Sequence, residues 1–135
     1  GEAARLLGVS TVAVGADRYA AVRAVEQRHG GVAVLKGPGT LVSDGSGPVA
    51  VCPHGGPALA TGGTGDVLAG LIGGLIAQGL APLAGAALGV CVHGAAADRL
   101  ALAHGERGML ATDLCAALPE VINGTDPGRG LHARV

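Results

Sequence analysis

Two stretches of the chain carry residue types and spacings that could do chemistry. The first is ATGGTGDVLAGL, residues 60–71, in which Gly62, Gly63 and Gly65 surround Thr64 and lead straight into Asp66 and an apolar, helix-like run. Glycines let consecutive N–H groups converge, because no Cβ obstructs the backbone. A helix beginning around Asp66 adds unpaired N–H donors and the positive end of its dipole. A phosphate or another oxyanion would be stabilised there. Asp66 would serve poorly as a phosphate ligand, since like charges repel. As a general base, or as a magnesium-linked carboxylate beside the reacting group, it makes sense. The competing reading is an aspartate N-cap after a flexible turn, a routine use of Asp. Two nucleotide fingerprints fail on this stretch. A GxGxxG begun at Gly63 needs glycine where Leu68 stands, and the P-loop needs a lysine that is absent here.

The second stretch is LKGPGT, residues 35–40. Lys36 is the only lysine in the chain, and it ends the most apolar strand-like run. Ligands of open α/β sheets bind at the carboxyl ends of strands, so a lysine there with a tight Gly-Pro-Gly turn could contact phosphates. The plainer alternative is a surface lysine whose stem lies along apolar surface before a turn. Among the histidines, His93 sits in a helical run near Cys91 and reads as a satisfied interior residue. His29, His104 and His132 read as surface or helix-end residues. His54 is more open, because its loop Pro53-His54-Gly55-Gly56-Pro57 leads into the glycine motif. Asp98-Arg99 and Glu106-Arg107 read as solvated or locally paired charges. No Ser-His-Asp order, paired carboxylates or metal-ligand spacing stands out.

The elements that must position these residues follow from local pattern. Residues 2–7 predict a short helix, and residues 17–29 a stronger one, with Asp17 as N-cap and Tyr19, Val22 and Val25 near one face. Glu26 and Gln27 are then expected toward solvent, and Gly30-Gly31 ends the helix. Residues 32–35 form an unbroken apolar run of strand length, the pattern of a strand buried on both faces. Residues 40–43 and 48–52 predict strands joined by Asp44-Gly45-Ser46-Gly47. A helix is expected over 67–78, another from Pro82 to about 103, and a last one over 113–118, capped by Thr112 and limited by Pro119. From Asn123 the chain is rich in Gly, Pro and Arg and reads as a frayed tail. Strands first and helices after indicate an α/β layer architecture.

Composition narrows the function. The chain has 135 residues, 49% of them hydrophobic, which is enough for one domain or part of one. Phe and Trp are absent and Tyr19 is the lone aromatic, so the core must be built from Ala, Val and Leu. A formal net charge of −1 with no basic cluster argues against nucleic acid or an anionic membrane as main partner. The lack of aromatics to stack bases argues against single-strand binding. Cys52, Cys91 and Cys115 are odd in number and widely spaced, as expected of reduced thiols in a cytoplasmic protein. The apolar run over 67–83 is broken by Gln78, Pro82 and glycines, which speaks against a membrane span. No signal peptide is evident. The chain opens at Gly1 on sequence that already reads as structured, so it reads as a fragment of a longer protein.

Taken in order, LKGPGT, GPALATGGTGDVLAGLIGGLIAQG, AALGVCVHGAAAD and GERGMLATDLCAALP resemble the NAD(P)H-hydrate dehydratase family, the carbohydrate-kinase-like domain of the ribokinase-like superfamily. The resemblance runs to about Asn123. It implies a three-layer α/β/α sandwich of which this chain is the C-terminal portion, over residues 1–123, followed by a flexible tail over 124–135. The activity implied is ADP-dependent dehydration of the S epimer of hydrated NADH or NADPH, giving back the reduced cofactor with AMP and phosphate; ATP serves in eukaryotic members. Magnesium is the implied metal. A fused or separate epimerase, and a homotetramer in the cytoplasm, are implied as partner, assembly and location. Matched position by position, Lys36, Gly37, Pro38, Gly39, Thr40 and Gly65 would contact the nucleotide. Gly62, Gly63, Thr64 and Gly65 would hold the transferring phosphate, and Asp66 would contact the hydrated substrate as catalytic base. The chain departs from the family at Gly55-Gly56-Pro57, where members commonly have Gly-Asn-Pro. Gly1-Glu2 resemble the end of a TPHxGE motif whose histidine would lie just upstream, and the family's domain is considerably longer. Two other readings compete: an ATP-dependent small-molecule kinase of the same superfamily, and a non-catalytic half-domain with an exposed sheet edge.

Overall fold

A computed structural model describes residues 1–124. Three helices come first: α1 (Glu2–Leu7), α2 (Thr11–Ala16) and α3 (Arg18–His29). Three strands follow, β1 (Ala33–Leu35), β2 (Thr40–Ser43) and β3 (Ala50–Cys52), then a 3₁₀ turn over Pro57–Leu59. The chain closes with α4 (Thr64–Ala77), α5 (Pro82–His104) and α6 (Ala111–Ile122). The tail expected over 124–135 lies, from residue 125 on, outside the described residues, and so does His132.

The strands form an antiparallel sheet of order β1-β2-β3, with Leu35 opposite Leu41 and Leu41 opposite Val51. Successive side chains of a strand point to opposite faces, and here both faces are covered. Val22, Ala33 and Leu41 pack on the α3 side, with Val25 and Leu35 against them. Val42, Cys52, Leu68, Ala86 and Val90 pack on the α4–α5 side, with Val34 and Ile72 against them. Helix, sheet and helix therefore stack in three layers. A third cluster, around Ala96, Ala97, Met109 and Leu114, joins α5 to α6. Full burial on both faces falls to β2. In β1 only Ala33 is fully buried, because among the described residues β1 pairs with β2 alone.

Several expected boundaries move. Ser10 caps α2 by accepting the Ala13 N–H at 3.1 Å, an element absent from the sequence reading. Tyr19 is exposed, while Val22 holds the buried face of α3. Helix α4 starts three residues earlier than expected, with Gly63 (φ +87°) as N-cap. Helix α6 is capped not by Thr112 but by Leu110, and the Leu110 N–H donates to Asp113 Oδ2 at 2.8 Å. Pro119 lies inside α6 instead of ending it. The carbonyl that loses its N–H partner there belongs to Cys115, which is exposed and can be hydrated. Helix α5 is long and apolar enough to cross a membrane, yet Ala86, Val90, His93, Ala96 and Ala97 are buried against the neighbouring layers.

The seam between α4 and α5 is closed by glycines. A Cβ on Gly89 would come within 2.6 Å of Ile72 Cγ1, and one on Gly85 within 2.8 Å of Ile76 Cγ1. At the N-terminal end of α4, buried His93 of α5 donates from Nε2 to the Thr64 carbonyl at 2.9 Å. Burial is the main cause that holds the His93 pKa below its ordinary 6.5, with the nearby Lys36 charge adding to it against the Thr64 hydrogen bond. Further along, Gly94 faces the loop of residues 53–57, and a Cβ there would lie 2.7 Å from the His54 carbonyl.

Two predictions follow from this seam. Gly94→Ala must displace backbone, so urea denaturation should show a loss of about 1–3 kcal/mol. Gly70→Ala, which meets open space in mid-helix, should gain about 0.5–1 kcal/mol; equal effects at the two positions would contradict the packing. The second concerns pH. The folded state resists protonating His93 more than the unfolded chain does, so the unfolded chain binds the extra proton as pH drops below 6.5. Stability from this group is present above that pH and lost on acidification. His93→Gln keeps an N–H donor without titrating, and a wild-type minus variant difference that does not shrink between pH 7 and about 5 would refute the assignment.

Candidate anion-binding active site

The two glycine-rich stretches meet. Lys36 leaves the end of β1, and its Nζ lies 2.7 Å from where a Cβ on Gly65 would stand. Only a glycine at the second position of α4 lets the ammonium approach so closely. Lys36 is half exposed and pairs at 3.5 Å with Glu2 of α1. The following turn uses positive φ at Gly37 (+143°) and Gly39 (+61°), and Thr40 Oγ1 donates to the Gly37 carbonyl at 3.3 Å. Gly37 and Pro38 are exposed, so the turn presents its backbone outward.

The anion turn before α4 is equally open. Among the described residues, the N–H groups of Gly62, Gly63 and Gly65 have no acceptor. Gly63 packs against α6, where a Cβ would come within 3.1 Å of the Ala111 Cβ. Thr64 behaves differently from its neighbours. It is buried, and its hydroxyl donates inward to the Leu59 and Thr61 carbonyls, each at 2.9 Å. What it offers to the loop is backbone shape. Asp66 stands third in the helix, exposed, with its N–H bonded to the Gly63 carbonyl at 3.1 Å and no hydrogen bond to its carboxylate among the described residues. The N-cap reading of Asp66 is therefore overturned: the cap is Gly63, which has no side chain to donate or accept.

Three neighbouring residues have partners that the sequence reading did not name. Arg18, first in α3, donates from Nη1 to the Pro38 carbonyl and from Nη2 to the Leu35 carbonyl at 3.2 Å. Its signal was available: a cation in the first turn of a helix opposes the dipole and calls for another partner. His93 is interior and satisfied, as expected, but its partner is the first residue of α4 inside the anion turn. Asp98 is exposed, as expected of a solvated charge, but it is also bonded to a distant loop. Its two oxygens accept the Gly55 N–H at 3.0 and 3.2 Å, and Oδ2 lies 3.3 Å from His54 Nδ1. Arg99 instead pairs with Glu120 at 2.6 Å. Asp98 thus ties down the loop that enters the 3₁₀ turn and the anion turn. All three cysteines are free; the Cys52 thiol donates to the His54 carbonyl of that loop at 3.8 Å, and burial pushes its pKa up.

The arrangement can do three things. Converging N–H groups and one ammonium can hold phosphate oxygens, an uncommitted carboxylate can take a proton beside them, and an outward-facing glycine turn can lie along a nucleotide. Among the described residues no three His, Cys, Asp or Glu groups converge into an all-protein metal cage. That donor set suits magnesium, which is usually held by one or two carboxylates together with substrate phosphates and water.

Known proteins carry the same arrangement of sequence and fold. The sequence model of NAD(P)H-hydrate dehydratases matches residues 1–120. A bifunctional NAD(P)H-hydrate repair enzyme from Vibrio cholerae is 55% identical over 123 residues, 90% of this chain and 24% of the relative. An ADP-dependent (S)-NAD(P)H-hydrate dehydratase from Neisseria meningitidis is 45% identical over 86% of this chain and 40% of its own length. The Bacillus subtilis ADP/ATP-dependent NAD(P)H-hydrate dehydratase, co-crystallized with ATP and Mg2+, superposes with a TM-score of 0.87 at 32% identity, covering 93% of this chain and 46% of that one. A ribokinase-like superfamily protein from Enterococcus faecalis superposes with a TM-score of 0.73 at 31% identity, covering 91% of this chain and 41% of that one. The chain thus spans less than half the length of each of these relatives, within which it corresponds to one continuous portion of the ribokinase-like α/β fold. It belongs to the NAD(P)H-hydrate dehydratase family.

Proposed function

We propose that this chain supplies the nucleotide and anion-binding part of an ADP-dependent NAD(P)H-hydrate dehydratase, which returns the S epimer of hydrated NADH or NADPH to the reduced cofactor. The observation that carries the reading is the meeting of the Lys36 ammonium with Gly65 beside three unpaired glycine N–H groups. The names and the co-crystallized ATP and Mg2+ of the relatives favour it over a kinase with a stable phosphorylated product.

The chemistry follows from where the groups lie. The nucleotide lies along Lys36, Gly37, Pro38, Gly39, Thr40 and Gly65, with its terminal phosphoryl on the N–H groups of Gly62, Gly63 and Gly65. Thr64 shapes that turn from below. Asp66 accepts the proton of the hydrate hydroxyl as the phosphoryl moves to that oxygen and AMP departs. The glycine N–H groups and Lys36 stabilise the charge that develops on the phosphoryl oxygens. Loss of the phosphate together with a ring proton restores the dihydropyridine. Magnesium, when bound, would supply further charge neutralisation, and Asp66 is the carboxylate of the turn that would hold it together with the phosphates. The same reading places the protein in the cytoplasm as a homo-oligomer, with an epimerase, fused or separate, feeding it the correct epimer.

In the intact protein, Asp66→Asn should lower nucleotide-dependent recovery of reduced-cofactor absorbance by about 100-fold or more. Calorimetry with ADP and magnesium should show Lys36→Ala weakening binding about tenfold. Gly65→Ala offers a sharper check. The added methyl pushes the flexible end of Lys36 away without straining α4, so ADP binding should weaken while thermal stability holds. Wild-type activity in Asp66→Asn, or accumulation of a stable phosphorylated product, would overturn the assignment.

A further inference from the structure

The Lys36 turn is held from behind by one guanidinium. Arg18 is half-buried, and its two carbonyl acceptors, Leu35 and Pro38, bracket Lys36 and Gly37. A planar fork with two fixed donors sets the distance between two acceptors, which a lysine ammonium on a flexible stem does not. The backbone is shaped to receive it. Gly37 takes φ +143°, and a Cβ there would come within 3.1 Å of Arg18 Nη2. Helix α3 delivers the side chain at a fixed height, because Asp17 caps the helix through the Ala20 N–H at 2.8 Å. The Arg18 charge is also uncompensated: among the described residues no carboxylate lies within ion-pair distance of it. Two cations on one turn repel each other, and that repulsion is relieved when an anion arrives.

We propose that Arg18 is a positioning residue for the nucleotide, acting through the turn that it clamps and not by direct contact. By pinning the Leu35 and Pro38 carbonyls it fixes the two peptide planes that carry the Lys36 and Gly39 N–H groups and aims the Lys36 stem at Gly65. This rests on the nucleotide reading above.

The test is steady-state kinetics of the intact protein with varied ADP, comparing wild type, Arg18→Met and Arg18→Lys, with melting of each nucleotide-free protein alongside. Both variants are expected to raise the KM for ADP about tenfold. The kcat should change by less than about threefold, and the KM for the hydrated cofactor should stay put. If Arg18→Met does not fold, Arg18→Lys, which keeps charge and stem, decides alone. An Arg18→Lys protein with wild-type ADP dependence would overturn the clamp, because charge alone would then suffice. A fall in kcat at unchanged KM, or a KM rise matched by a lower nucleotide-free melting temperature, would overturn it as well. Absence of nucleotide dependence in the wild type would instead sink the nucleotide reading, and this proposal with it.

Discussion

The site depends on one close approach: an ammonium from the end of a strand seated where a helical residue would normally put its Cβ. Such an approach needs both partners fixed to within a fraction of an ångström, and each is fixed from the side away from the ligand. The Lys36 turn is held by Arg18 through two backbone carbonyls, and the start of α4 is held by His93 through a third. Ties of this kind leave the outward N–H groups of Gly62, Gly63 and Gly65 without internal partners. Polar groups committed behind the loop thus preserve donors in front of it, the condition for electrostatic preorganisation.

The scaffold reaches this precision without aromatic anchors. Fully burying a Val or Leu contributes about 1.5–3 kcal/mol, and an alanine-rich core gains less per residue. Close approach of backbones compensates, since interior packing stability rests on many short contacts. That is why Gly85, Gly89 and Gly94 lie on the faces that α5 turns toward α4 and the loop of residues 53–57. The same tight seam brings His93 within reach of Thr64. In β2, Leu41 and Val42 serve opposite layers, so the strand beside Lys36 is gripped from both sides.

Much of this was legible in the sequence, and the reasons differ by residue. Helices α1 and α3 and strand β2 were readable because their caps, breakers and apolar runs agree with one another. The convergence of LKGPGT and ATGGTGDVLAG was legible only through the strand-end rule for α/β sheets and the family resemblance. Helix α2 was not, because TVAVGA mixes β-branched residues with glycine and buries nothing. Pro119 misled because a proline's cost depends on whether the carbonyl it orphans can meet water. The partners of Arg18 and Asp98 were invisible for a different reason. Each side chain bonds to backbone 17 to 43 residues away, and no local pattern encodes such a partner.

Asp66 shows how much three residues of register can mean. The chain has three aspartates at helix starts. Asp17 is an N-cap whose carboxylate folds onto the Ala20 N–H, and Asp113, third in α6, reaches back to the Leu110 N–H. Both are occupied by their own helices. Asp66 occupies the same third position in α4 but leaves the Gly63 N–H alone, and its carboxylate accepts nothing among the described residues. As an N-cap it would have quenched the very donors that make the turn attractive to an anion. Displaced one turn into the helix behind a glycine cap, it leaves them open and stands beside them as a separate base. The division between an anion-binding loop and a proton acceptor therefore depends on glycine, not aspartate, holding position 63.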